Sequence, residues 1–192
     1  MIEICIHGRG GQGAVIAGRL LAEAAHRSGR LVQAFPQFGV ERRGAPVTAY
    51  VRIAEPGDAI LPRCQILSPD HAIVLDPTLL AAGDVLAGLE PGGTVLVNTS
   101  RPVGSLPAPA GATVAGVDAS AIALKHKLGS RAQPIVNTAI LGAFASLTGI
   151  VTLDALIEAI HAALPASAEA NVQAARDAHA AITRKEEEEK VA

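Results

Sequence analysis

Aromatic side chains are nearly missing from this sequence. Of its 192 residues, three are Phe, one is Tyr and none is Trp. A platform for stacking single-stranded nucleic acid, or an aromatic cleft for sugars, needs more rings than that. An excess of positive charge is missing too: 16 basic residues against 18 acidic ones leave a formal charge of −2. That removes the electrostatic footprint of a nucleic-acid binder. Two cysteines, Cys5 and Cys64, are too few for an iron–sulfur cluster or a four-Cys zinc site, and no C-x-x-C is present. Such sparse cysteine fits a reduced, cytoplasmic setting. Glu3 interrupts the first apolar run and no basic leader precedes a long hydrophobic stretch, so no targeting segment is expected.

What is present is core material. Hydrophobic residues make up 49% of the chain and charged residues only 18%, which argues for extensive burial in one domain. That domain is expected over residues 1–183, followed by a charged, solvated tail at 184–192. Residues 132–153 carry no charge and are long enough to cross a bilayer. Their Gln133, Pro134, Asn137, Thr138, Ser146, Thr148 and Thr152 keep the run only moderately hydrophobic, so a buried globular helix is expected and no membrane span.

Strand-like and helix-like segments alternate. Apolar runs at 2–6, 31–35, 47–53, 72–75, 94–98 and 113–117 predict strands, and the patterns at 14–28, 78–89 and 119–128 predict helices. This alternation predicts an α/β, Rossmann-like domain: a mostly parallel sheet with helices on both faces. A C-terminal helical segment follows, with helices at 137–147, from Thr152 to Pro165, and at 167–183. Asp118 and Thr152 read as N-caps.

The strongest local signal is Gly8-Arg9-Gly10-Gly11-Gln12-Gly13, a G-x-G-x-x-G between a strand and a helix. Glycines there let backbone N–H groups turn toward an anion, and the helix N-terminus adds roughly half a positive charge. A dinucleotide site also needs an acid at the end of the second strand, and Phe35-Pro36-Gln37 offers none. The plainer alternative is that these glycines only allow close strand–helix packing.

A second signal lies between two strand candidates: Phe35-Pro36-Gln37-Phe38-Gly39-Val40-Glu41-Arg42-Arg43-Gly44. Its rings suit a pocket or a subunit interface, and its arginines suit phosphates or carboxylates. Phe in the core with Arg in solvent is equally consistent. The four aromatics are Phe35, Phe38, Tyr50 and Phe144, and their scarcity marks these places as expected contacts with a ligand or partner. No catalytic set emerges. The six histidines show no H-x-x-x-H or H-x-H spacing, and no G-x-S-x-G occurs, so neither a catalytic residue nor a metal ligand is assigned.

Taken together, the glycine hexapeptide, Gln33-Ala34-Phe35-Pro36 and the segment 38–44 resemble the γ subunit of the 2-oxoacid:ferredoxin oxidoreductases, which act on pyruvate, 2-oxoisovalerate, 2-oxoglutarate and aryl-2-oxoacids such as phenylglyoxylate. Val97-Asn98, Asn137 followed by Leu141-Gly142-Ala143, and Asn171 extend the likeness over about residues 3–180. One departure is Ala45, where relatives often carry a second glycine. The resemblance implies a Rossmann-like, non-catalytic subunit of a complex that turns a 2-oxoacid and coenzyme A (CoA) into acyl-CoA, CO2 and a reduced acceptor. It implies α, β and δ-type partner subunits that carry thiamine diphosphate, Mg and iron–sulfur clusters. The acceptor is ferredoxin or an additional NAD/flavin electron-transfer subunit. On this likeness, CoA phosphates are expected at Gly8, Arg9, Gly10, Gly11, Gln12 and Gly13, with Arg42 and Arg43 as charge partners and Asn137 shaping the crevice. Phe35, Phe38 and Glu41 are expected at a subunit interface. A purely structural assembly subunit, or a NAD- or flavin-binding protein, are the alternatives.

Overall fold

The computed structural model describes residues 1–37, 44–58, 63–82 and 85–184. Phe38, Glu41, Arg42, Arg43 and residues 185–192 of the expected tail 184–192 lie outside those residues.

The Ile-rich start forms β1 (Ile2–Arg9). Ile4 and Ile6 are fully buried on one face of the sheet, and the two-residue period of a strand sends Cys5 and His7 to the other. After the glycine loop comes α1 (Ala14–Arg27), whose buried stripe is largely Ala, Gly and Leu. The small residues let the helix lie close to the sheet: a Cβ at Gly18 would stand 3.4 Å from both Ala49 and Val51. Basic His26 and Arg27 occupy the last turn, where they complement the helix dipole.

The chain then lays down β2 (Leu31–Pro36), β3 (Pro46–Ala54), β4 (His71–Val74), β5 (Thr94–Asn98) and β6 (Thr113–Val117). After α2 (Ala119–Lys125), a minimal hairpin of β7 (Gly129–Ser130) and β8 (Gln133–Pro134) precedes α3 (Asn137–Thr148), α4 (Leu153–Ala163) and α5 (Ala168–Ala180). Strand β9 (Thr183–Arg184) closes the fold. The expected caps are present: Asp118 accepts from the Ala121 amide at 2.8 Å and Thr152 from the Ala155 amide at 3.1 Å.

Seven strands form one sheet in the order β2-β3-β1-β4-β5-β6-β9. The centre, β1-β4-β5-β6, is parallel, while β3, β2 and β9 add antiparallel edges. The expected α/β class holds, with a mixed sheet. From β1 the chain first builds to one side, through α1, β2 and β3, and then crosses to the other side at β4. The C-terminal end of β1 is therefore the point where strand order reverses, which is where open α/β sheets hold ligands.

Two expectations need correction. Among the described residues, all five α-helices contribute buried residues to one core with Ile4, Ile6, Ile73, Leu96 and Ala115, hence on one face of the sheet. The other face is covered by short 3₁₀ turns, Pro77–Ala82 and Val103–Ser105, over Val74, Val95, Val97 and Val114. Within the helix predicted at 78–89, the described residues form a 3₁₀ stretch that ends at Ala82 and turns at 85–88. Gly83 and Gly88 carry poor helix propensity, and Gly88 sits at φ +76°, which ends any helical run.

The three described aromatics also do not mark an outer surface. Phe144 is fully buried, edge-on to His71 at 5.6 Å. Phe35 and Tyr50 pack 5.5 Å apart in a small cluster with Cys5 and Ile66. In a core built mainly from Ala, Val, Leu and Ile, these rings serve as packing groups. Phe35, expected at a subunit interface, thus spends its ring within this chain.

Candidate functional site

The glycine loop links β1 to α1 at the reversal point, and each part of it is held. Gly8 lies against Leu75, where a Cβ would stand 3.0 Å from Leu75 Cδ1. The Gly10 amide donates to Ala45 O at 2.9 Å, and its carbonyl accepts from the Gly44 amide at 3.2 Å and from Gln133 Nε2 at 3.1 Å. Gly11 has φ +104°, and a Cβ there would fall on the Gln133 carboxamide, 2.7 Å from Cδ. Gly13 has φ +90° and lies against Asn137, whose Nδ2 would be 2.7 Å from a Cβ. Asn137 is itself buried, with its Oδ1 accepting from the Thr138 amide at 2.8 Å. Asn137 was expected to shape this crevice, and it stands directly beneath the loop. Gln133, 123 residues from Gly10, carried no spacing signal in the sequence.

Two loop side chains, Arg9 and Gln12, also bond within the chain. Arg9 gives Nε to Asp76 Oδ2 at 3.1 Å, one terminal nitrogen to Gly44 O at 3.2 Å and the other to Thr78 Oγ1 at 2.9 Å. Gln12 folds back, accepting from the Arg9 amide at 2.8 Å and donating to Asp76 Oδ2 at 3.3 Å. Both serve the shape of the loop itself. The carboxyl of Asp76 is held below the usual carboxylate range: burial pushes it up, but the Thr78 hydroxyl and amide, the Arg9 charge and Gln12 together outweigh that.

What the loop leaves open is backbone. Among the described residues, no group accepts from the amides of Gly11 and Gly13. The helix follows at once, with Gly13 as N-cap and no capping side chain or first-turn acid. Its first amides, at Ala14, Val15 and Ile16, have no partner within the helix. Free N–H groups converging at a helix N-terminus are the chemistry of an anion site.

The geometry departs from a dinucleotide site. There, the strand after the first helix lies beside β1 and ends in an acid that holds a ribose. Here β3 separates β1 from β2, and β2 runs out into Pro36 and Gln37. The Gln37 carboxamide accepts from the Tyr50 hydroxyl at 2.8 Å.

On the opposite face of β1 lies a cavity of about 580 Å³, lined by Cys5, His7, Gln37, Thr48, Tyr50 and Gln65 among others. Its titratable groups are kept neutral. Burial, then Glu3, push the Cys5 thiol up to about 12, and burial takes His7 down to about 4. His7 Nδ1 lies 3.2 Å from Thr48 Oγ1. A folded pKa below the unfolded value means stability that is complete above pH 6.5 and lost as pH falls toward 4. From the ordinary value of 6.5 down to about 4, that loss is about 3 kcal/mol. His7→Gln is expected to lose markedly less stability than the parent between pH 7 and pH 4.5, measured as urea midpoints. Equal losses would contradict the burial account.

The family model described as pyruvate ferredoxin/flavodoxin oxidoreductase matches residues 3–181, and the chain belongs to that family, on its γ-subunit branch. It is 48% identical over 180 residues to pyruvate synthase subunit PorC of Methanothermobacter marburgensis, covering 93% of this chain and 96% of that one. It is 51% identical over 183 residues to the pyruvate/ketoisovalerate oxidoreductases common subunit gamma of Thermococcus kodakarensis, covering 93% and 95%. Among solved structures, the pyruvate oxidoreductase subunit PORC of Thermotoga maritima superposes with a TM-score of 0.78 at 34% identity, over 95% of this chain and 97% of that one. The 2-oxoglutarate:ferredoxin oxidoreductase of Magnetococcus marinus shares the fold, with a TM-score of 0.71 at 22% identity; there the match takes up 30% of a longer chain.

Proposed function

We propose that this chain is the γ subunit of a thiamine diphosphate- and iron–sulfur-dependent complex that converts a 2-oxoacid and CoA into acyl-CoA and CO2 with reduction of an acceptor. Its own task is to hold CoA phosphates on the glycine loop and to help assemble the complex. One observation carries the binding role: the open amides of Gly11, Gly13 and the first turn of α1, gathered where strand order reverses. Gly8 and Gly10 keep the loop in that shape. With Arg9 paired to Asp76, positive charge for the phosphates falls to Arg42 and Arg43, the latter covalently next to the Gly44 that hydrogen-bonds Gly10. CoA would bind here as a substrate, and it supplies the thiol that accepts the acyl group.

Thiamine diphosphate, Mg and the clusters are assigned to α, β and δ-type partners. Among the described residues, no group of three His, Cys, Asp or Glu side chains is placed to hold a metal. Ferredoxin, or an additional NAD/flavin subunit, takes the electrons. Phe38 and Glu41 are assigned to a subunit interface. No described helix is long and apolar enough to cross a membrane, and we place the complex in the cytoplasm. A second reading, assembly alone, is favoured by a different observation: Gly8, Gly11 and Gly13 each pack closely against a neighbouring side chain, Leu75, Gln133 and Asn137.

The affinity-tagged chain, purified from the organism that encodes it, is expected to bring down thiamine-binding and cluster-binding chains. The eluate is expected to oxidise a 2-oxoacid in a CoA-dependent reaction. A lone chain without partners would contradict the assignment.

A further inference from the structure

We infer that Asp76 is the positioning residue of the glycine loop: its one carboxylate ties Arg9 and Gln12 of the loop to Thr78 after β4, and so fixes the loop amides. The inference rests on the reading of that loop as the CoA phosphate site. Each oxygen has its own task. Oδ2 accepts from Arg9 Nε at 3.1 Å and Gln12 Nε2 at 3.3 Å, both within the loop. Oδ1 accepts from the Thr78 amide at 3.0 Å and the Thr78 hydroxyl at 2.6 Å. The Thr78 oxygen in turn accepts from the other arm of Arg9 at 2.9 Å, closing a ring of three side chains.

The ring reaches further than the loop. Arg9 also donates to the Gly44 carbonyl, and the Gly44 amide donates to Gly10. The carboxylate therefore governs three segments at once: the glycine loop, the exit of β4, and the chain that leads out of the Arg42-Arg43 pair. Without it the Arg9 guanidinium would lose its only described carboxylate partner and the loop would lose its brace on the β4 side. The low carboxyl pKa fits an oxygen pair filled by four donors.

The chemistry selects a sharp variant. In Asp76→Asn, one oxygen still serves Thr78, but the new NH2 group faces Arg9 Nε and Gln12 Nε2, donor against donor. Steady-state kinetics and amide hydrogen exchange of residues 9–14 are measured on the assembled complex. Asp76→Asn is expected to raise the KM for CoA about tenfold, the usual scale for losing a charged hydrogen bond. The KM for the 2-oxoacid and kcat at saturating CoA stay within about twofold, and exchange in the loop accelerates. Thr78→Val removes the bridging hydroxyl alone and is expected to raise the CoA KM about threefold; it carries the test if the Asn variant does not assemble. Faster exchange with an unchanged CoA KM upholds the positioning role and refutes CoA binding at the loop. A raised CoA KM with unchanged exchange overturns positioning, and so does no change in either.

Discussion

Gly142→Ala is expected to leave little folded protein. Gly142 lies in α3 where that helix crosses α5, and both helices present small residues there, Ala139 and Ala143 against Ala174, Ala175 and Ala178. A Cβ at position 142 would run into the Ala175 carbonyl oxygen and stand 2.7 Å and 2.8 Å from the Ala175 carbonyl carbon and Cα. These are backbone atoms of a helix interior, so no rotamer change relieves the clash and the helices must part. Overpacking a core typically costs about 1–3 kcal/mol, and separating two backbones belongs above that range. A domain of this kind has about 5–15 kcal/mol in total. Gly149→Ala is the control: it replaces the exposed C-cap glycine of the same helix, where nothing lies within 4 Å and only the φ of +65° is strained. That variant is expected to lose about 1 kcal/mol. Thermal melts of the two variants separate the cases. A Gly142→Ala melt within a few degrees of the parent would contradict the close apposition of α3 and α5.

Much of this fold was legible because its signals are local. Strands β5 and β6 sit at the residues their apolar runs mark, 94–98 and 113–117, and the helices begin at Asp118 and Thr152 as cap chemistry dictates. What failed was nonlocal or too short to have a period. Strand β9 and the β7–β8 hairpin are two-residue pairings that no periodicity can announce. Strand β3 reads as a strand, but nothing in it says that it pairs between β1 and β2, antiparallel to both.

The site divides in the same way. The glycine loop shows in the sequence because its requirement, backbone without Cβ between a strand and a helix, is met by adjacent residues. Its supports do not, because Asp76 and Gln133 lie 64 and 121 residues beyond Gln12 in the chain and reach the loop only through the fold, one from the exit of β4 and the other from the β7–β8 hairpin. The pairing of Arg9 with Asp76 is hidden for the same reason, because the exit of β4 brings that carboxylate to it from 67 residues away.

Gly11→Asp is the change expected to act most strongly on ligand binding. The position is exposed, its φ of +104° suits glycine, and a Cβ there would displace the Gln133 carboxamide from Gly10. The aspartate adds a negative charge beside the amides assigned to a phosphate. Strain and like-charge repulsion act in the same direction, and loss of one charged contact alone is about 1.5–3 kcal/mol. The expected rise in the CoA KM is therefore about 10- to 100-fold, at a 2-oxoacid KM close to the parent value.

That comparison is also the most direct measurement of the central claim. Initial rates of the parent and Gly11→Asp complexes, matched for subunit stoichiometry, are titrated with CoA at saturating 2-oxoacid. A CoA KM raised at least tenfold in a fully assembled complex is the predicted result. An assembled complex with an unchanged CoA KM would contradict the claim and leave this chain as a structural subunit.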